Sequence, residues 1–306
     1  MLSRMDVVAL TRRLVDIESV SGNEAAVAEF LTGELGRLGY KVEKMPVGPG
    51  LFNVYASDAG LPPALVFSTH MDTVPPFIAS SEDDEKVYGR GACDAKGIIA
   101  AQIAASERLR GEGLPVGLLF VVGEECGSLG AAVANRQSPG CRFLINGEPT
   151  ENRMATAAKG ALRVEVTAHG VMAHSAYPQL GDSAIAKLLD ALERLRAMEL
   201  PSDPEAGPCT MNIGTIQGGR APNVVADRAR AELLYRLVGP SAELRRQIVE
   251  AAGERVQVEF VLEIPFVRLR ALDGLPTMVA AFTTDIPALG NWGEPLLVGP
   301  GSIHVA

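Results

Sequence analysis

A histidine and an aspartate two residues apart, His70-Met71-Asp72, follow closely on the apolar run Ala64-Leu65-Val66-Phe67. A short apolar run rich in β-formers reads as a buried strand, so both side chains leave the same edge of a sheet. Imidazole is a common metal ligand, and a nearby carboxylate fixes its tautomer and raises its basicity. Acids follow in similar places: Asp94 after Gly89-Arg90-Gly91, Glu124-Glu125 after Leu118-Leu119-Phe120-Val121-Val122, and Glu148 after Phe143-Leu144-Ile145. Such strand-like runs, each ending in an acid or a histidine, are the layout of a metal site at one end of a sheet. Taken singly, an acid at a strand end reads equally as a helix cap or a solvated surface group. The Glu124-Glu125 pair is harder to read that way, because adjacent carboxylates repel unless something positive lies nearby. A metal ion supplies that charge, and one carboxylate can hold it while its neighbour stays free as a base toward water.

The elements that must position these residues follow from the pattern. Residues 5–37 predict two helices separated by a Ser19-Val20-Ser21-Gly22-Asn23 break, the second ending at Gly36. Strands are expected near 41–45, 53–57, 64–68, 116–122 and 142–145, with helices near 95–110 and 128–135. Strand–helix alternation with near-continuous apolar strands argues an α/β fold, a mostly parallel sheet covered on both faces. Sites in such sheets lie beyond the carboxyl ends of the strands, where the acids are. From about residue 154 the texture changes. Strands near 162–168, 211–217, 230–237 and 256–264 and helices near 182–197 and 241–252 give the order βαββαβ, the ferredoxin-like unit. The last segment, 265–306, is expected to complete the first sheet. The predicted domains are therefore 1–153 with 265–306, discontinuous and with an incomplete C-terminus, and an inserted unit at 154–264.

Composition excludes other classes. The 306 residues are 47% hydrophobic and 21% charged, as in a soluble protein with a large core. There are 28 basic against 37 acidic residues, net −9, and no Lys/Arg-rich run, so the footprint of a nucleic-acid binder is missing. No apolar stretch reaches transmembrane length and the N-terminus lacks a signal-peptide core, so the expectation is a cytoplasmic protein with no membrane partner. Cys93, Cys126, Cys141 and Cys209 show no CxxC spacing and read as small buried residues.

Taken in order, His-x-Asp, Asp, Glu-Glu and Glu resemble the M20 family of metallopeptidases and deacylases, the group of acetylornithine deacetylase, succinyl-diaminopimelate desuccinylase, aminoacylase and carboxypeptidase G. The resemblance covers nearly the whole chain. Its motifs are Ser68-Thr69-His70-Met71-Asp72-Thr73-Val74-Pro75, Gly89-Arg90-Gly91-Ala92-Cys93-Asp94-Ala95-Lys96-Gly97, Gly123-Glu124-Glu125 and Gly147-Glu148-Pro149. It implies a zinc-peptidase-like catalytic domain with a ferredoxin-like lid and dimerisation domain. It also implies a role for each residue. His70 and Glu148 would ligate a first metal, Glu125 a second, and Asp94 would bridge the two. Asp72 would orient His70, and Glu124 would be the general base that deprotonates water and later protonates the leaving amine. The ions would be two Zn²⁺, with Co²⁺ or Mn²⁺ as substitutes. His174 would reach the partner subunit's site and stabilise the oxyanion; read alone, it is a turn histidine. Asn223 and Arg236 match substrate-contacting positions, and Arg236 suits a bidentate grip on a carboxylate. As a lone residue, Arg236 reads equally as a strand-edge surface charge.

The family's last ligand is a histidine in a Gly-Pro-Gly…Ala-His motif. Here Gly299-Pro300-Gly301-Ser302-Ile303-His304-Val305-Ala306 leads up to it, and the ligand falls at the next position. His304 lies three positions early and is expected in a loop or substrate-side role, so the second metal site lacks its C-terminal histidine in this chain. The resemblance implies a homodimeric, dinuclear zinc amidohydrolase. It would cleave the amide bond of an N-acyl amino acid with a free carboxylate, as acetylornithine deacetylase does. A carboxypeptidase or dipeptidase using the same residues is the alternative, and a non-catalytic, metal-poor binding protein is a third reading.

Overall fold

The computed structural model describes residues 5–58 and 63–305; Ala306 and the first four residues, which entered the readings above, lie outside them. The chain divides into two compact units, residues 1–156 with 269–278 and 284–306, and residues 157–268 with 279–283.

In the first unit the helices α1 (Val7–Val15) and α2 (Ala25–Arg37) precede strands β1 (Lys41–Gly48), β2 (Leu51–Ser57) and β3 (Leu65–His70). Then come α3 (Lys96–Gly111), β4 (Val116–Val121), α4 (Leu129–Arg136) and β5 (Phe143–Asn146), and the late strand Glu294–Leu297. The sheet order is β1-β2-β4-β3-β5 and then Glu294–Leu297. Strands β4, β3, β5 and Glu294–Leu297 run parallel, while β1 and β2 form an antiparallel edge, so the sheet is mixed at that side. A direct β1–β2 hairpin cannot be parallel, because a parallel pair needs a long crossover.

Every residue of β4 is buried because both faces of the sheet are covered. Leu118, Phe120 and Val122 pack to one side with Leu10, Leu14, Leu31, Leu35, Ile99 and Ile103 of α1, α2 and α3. Leu119 and Val121 face the other side, against Ala131, Ala134, Tyr55 and Trp292. The period-2 alternation thus splits one apolar run between two helical layers.

The second unit carries β6 (Gly160–His169), α5 (Ala184–Arg196), β7 (Thr210–Gly218), β8 (Arg228–Leu237), α6 (Ala242–Ala252) and β9 (Gln257–Ile264). All pairings are antiparallel in the order β7-β8-β6-β9, which is the ferredoxin-like arrangement. Leu162, Val164 and Val166 of β6 and Leu233 and Tyr235 of β8 meet Leu188, Leu192, Leu244 and Ile248 of the two helices. Ser183 caps α5 by accepting the Ala186 N–H. No helix among the described residues is long and apolar enough to cross a membrane. Only one cysteine fits the buried reading: Cys209 is buried, Cys93 and Cys141 are half-buried, and Cys126 is exposed, in the turn after β4.

Candidate active site

Strand register brings the motifs to one edge. His70 ends β3 opposite Val121, the end of β4, and Ser68 lies opposite Asn146, the end of β5. The next residues of β4 and β5 therefore turn out beside His70, carrying Glu124, Glu125 and Glu148. Asp94 comes from the loop before α3, folded back by Lys96 N–H donating to the Gly91 carbonyl at 2.8 Å. Gly97 is required there, since a Cβ would lie 2.3 Å from the Ala92 carbonyl oxygen.

His70 is buried, with Nε2 2.8 Å from Asp94 Oδ1. Its Nδ1 lies 3.0 Å from the Asp72 carbonyl oxygen and 3.4 Å from Asp72 Oδ1. The main chain of Asp72 thus shares in orienting the ring. The Asp72 carboxylate has further partners, accepting the Ser21 hydroxyl at 2.7 Å, the Glu124 N–H at 3.1 Å and the Glu125 N–H at 3.2 Å. The ligand atoms of His70, Asp94 and Glu125 all lie within 4.8 Å of one another. Glu148, which the resemblance pairs with His70, is not in that trio; it is buried and its Oε1 has no hydrogen-bond partner among the described residues.

Charge in this pocket is one-sided. Burial alone would lower the His70 pKa, but hydrogen bonds to Asp72 and Asp94, with the charges of Asp94 and Glu148, raise it well above its ordinary value. Burial would raise Asp72, but His70, Ser21 and the Glu124 N–H hold it below the usual carboxylate range. Burial raises Glu124 and Glu148 strongly and Glu125 less, while His70 pulls each back. Sequence reasoning missed another acid, Asp285. It is buried, its carboxylate oxygens have no well-formed hydrogen bond among the described residues, and burial pushes its pKa up to about 6 despite the lowering pull of the nearby Ser128 hydroxyl and of His70. It sits in an irregular segment, Thr283-Thr284-Asp285, where no periodicity marks it. Clustered carboxyl groups around one imidazole, with an unclaimed buried oxygen on Glu148, are a donor set that fits a divalent cation.

Of the remaining candidates, His174, Asn223 and Arg236 belong to the second unit and His304 to the first. His174 is exposed in the loop after β6, its Nδ1 accepting the Ala176 N–H at 3.1 Å. It pairs with the segment holding Asn223: His174 bridges to Val224, and Ser175 N–H donates to the Asn223 carbonyl at 2.9 Å. Arg236 is half-buried on β8, flanked by Thr210 and Ala161. His304 is exposed in the one-turn helix Ile303–Val305.

Fold and donor set together describe an α/β unit with a group able to hold a metal ion at the ends of its parallel strands. A family model described as "Peptidase dimerisation domain" matches residues 156–259. A peptidase M20 domain-containing protein of Schizosaccharomyces pombe is 40% identical, covering 98% of this chain and 78% of its own length. A probable carboxypeptidase of Paracoccidioides brasiliensis is 36% identical over 100% of this chain and 80% of its own. The solved structure of a tripeptidase from Staphylococcus aureus superposes with a TM-score of 0.80 at 22% identity, covering 98% of this chain and 90% of that one. The chain belongs to the peptidase M20 family.

Proposed function

We propose that the protein hydrolyses the amide bond next to a free carboxylate, in an N-acyl amino acid or at the C-terminus of a short peptide. One observation carries the reading: the ligand atoms of His70, Asp94 and Glu125 converge at the strand ends, with the half-buried Glu124 next to Glu125 in the chain. The carboxypeptidase name of the relative points to the peptide substrate, and the acetylornithine deacetylase-like substrate shares the same acyl–NH–CHR–carboxylate core.

His70, Asp94 and Glu148 would hold one divalent ion, and Asp94 with Glu125 would contribute to a second, with zinc the expected metal. When bound, the metal supplies positive charge that polarises the scissile carbonyl and makes water acidic. The protein's own groups do the rest. Glu124, raised by burial, takes a proton from water and returns it to the leaving amine. Asp72 holds the backbone of Glu124 and Glu125. As the resemblance implies, His174 would support the oxyanion in the partner subunit's site, and Asn223 and Arg236 would contact the substrate, Arg236 through its carboxylate.

The second unit is proposed to form a homodimer. Strand β7 ends its sheet with one edge unpaired among the described residues, and Ile185, Leu189 and Ile216 are exposed on that unit. Glu124→Ala should abolish turnover while leaving metal bound; near-normal turnover overturns the assignment. Assays on N-acyl amino acids, dipeptides and their C-terminal amides test the substrate, and equal cleavage of the amides excludes recognition of a carboxylate.

A further inference from the structure

The break between α1 and α2, residues Ile17 to Glu24, contacts three of the four loops that carry the candidate site, those of Asp72, Asp94 and Glu124. The Ile17 carbonyl accepts the buried Lys96 Nζ at 2.6 Å, two residues from Asp94. The Ser19 hydroxyl donates to the Met71 carbonyl at 2.8 Å, and Thr73 N–H donates to the Ser19 carbonyl at 2.9 Å. Ser21 N–H donates to the Thr73 carbonyl at 3.2 Å, while its hydroxyl reaches Asp72 Oδ2. Glu24 then turns inward. Only 1% exposed, it accepts the Gly123 N–H on Oε1 at 3.1 Å, and its Oε2 has no well-formed hydrogen bond among the described residues.

Three successive amides, those of Gly123, Glu124 and Glu125, are thus held by two buried carboxylates, Glu24 and Asp72. Gly123 has φ of +70°, so the chain reverses sharply out of β4 at this point. The turn closes with Gly127 N–H on the Glu124 carbonyl and Ser128 N–H on the Gly123 carbonyl, each at 3.0 Å. Both side-chain directions at Glu124 and Glu125 therefore depend on where those first three amides are pinned. By its sequence, Ser21-Gly22-Asn23-Glu24 reads as a helix-capping box. Glu24 makes no side-chain capping bond to α2; its carboxylate lies near its own and the Gly22 amides, and its Oε1 also accepts Gly123 N–H from across the fold.

We infer that Glu24 is a positioning residue for the Glu124–Glu125 turn, acting through the Gly123 amide, with Ser21 supporting it through Asp72. The inference rests on the proposed role of Glu124 only for its effect on turnover. A charge-accepted hydrogen bond in a buried setting is among the stronger ones, and small displacements of a reacting group cost rate steeply.

The test compares Glu24→Ala, Glu24→Gln and Ser21→Ala in the full chain. It reads amide hydrogen exchange across residues 121–128 and steady-state kinetics per folded molecule. Glu24→Ala should speed exchange at Gly123 to Glu125 roughly ten- to a hundredfold, with exchange in the second unit unchanged. It should lower kcat at least about tenfold while KM stays within about twofold. Glu24→Gln keeps an acceptor oxygen for Gly123 and places its amide where Oε2 has no well-formed hydrogen bond among the described residues, so it should restore both readouts. Unchanged exchange in Glu24→Ala, or a glutamine variant as impaired as alanine, overturns the inference. Should Glu24→Ala fail to fold, Ser21→Ala carries the test, with faster exchange at Glu125 expected and no change refuting. Turnover surviving Glu124→Ala would instead sink the general-base reading and leave the exchange result to judge Glu24 alone.

Discussion

Replacing Asp285 with asparagine should stabilise the metal-stripped protein at alkaline pH. The carboxyl is buried, its oxygens have no well-formed hydrogen bond among the described residues, and burial outweighs Ser128 and His70 to raise its pKa from 3.8 to about 6. Between those values the folded chain keeps a proton that the unfolded chain has lost, so this group's contribution to stability falls as pH rises through the window and stays lost above it. The gap of about two pH units corresponds to about 3 kcal/mol at pH 8, and about 1.5 kcal/mol at pH 5. Asparagine cannot ionise, so the variant should exceed the parent by those amounts at the two pH values. Urea unfolding followed by fluorescence suits the test, because the chain has one tryptophan and Trp292 is buried in the same unit, packed edge-to-face on Tyr55. Saturating zinc should shrink the advantage, since a cation offsets the buried charge. An advantage equal at pH 5 and pH 8, or none at pH 8, would show that burial does not hold the Asp285 carboxyl protonated in this window.

Two further outcomes follow from the same geometry. Zinc binding to the chelator-treated protein should release protons and weaken as pH falls, because the raised proton affinities of His70, Glu148 and Glu124 compete with the metal. Calorimetry in two buffers of different ionisation heat checks this, and identical heats refute it. Gly299→Ala should destabilise the first unit by about 1–3 kcal/mol and weaken zinc binding, because the new Cβ would sit 2.4 Å from the Glu148 carbonyl oxygen. A urea titration with a parallel zinc titration reads both effects.

The strands and the residues at their ends were legible because burial on two faces writes continuous apolar runs, and β3, β4 and β5 fall where those runs do. The direction of β1 and β2 was not, since apolar runs do not report which way a neighbour points. Glu24 hid for a different reason: a serine three residues before a glutamate is the local signature of a helix start, and only the tertiary fold shows where the carboxylate goes. Asp285 lies in a segment with no period at all, and Lys96, buried to 1% exposure, looks from its position like an ordinary helix-start lysine. The grouping of Glu125 rather than Glu148 with His70 and Asp94 is a matter of side-chain reach, to which spacing along the chain is blind.

The Asp72 carboxylate accepts from a hydroxyl and two consecutive amides while its own carbonyl faces the His70 ring. Asparagine there would turn an NH₂ group toward at least one of those donors, so no single exchange keeps the whole arrangement. Variants at Asp72, Ser21 and Glu24 should therefore show strong epistasis, the second change costing far less than the first once the shared support is broken. A site braced in this way resists gradual remodelling. New specificity is more accessible through residues that touch the substrate without carrying the frame.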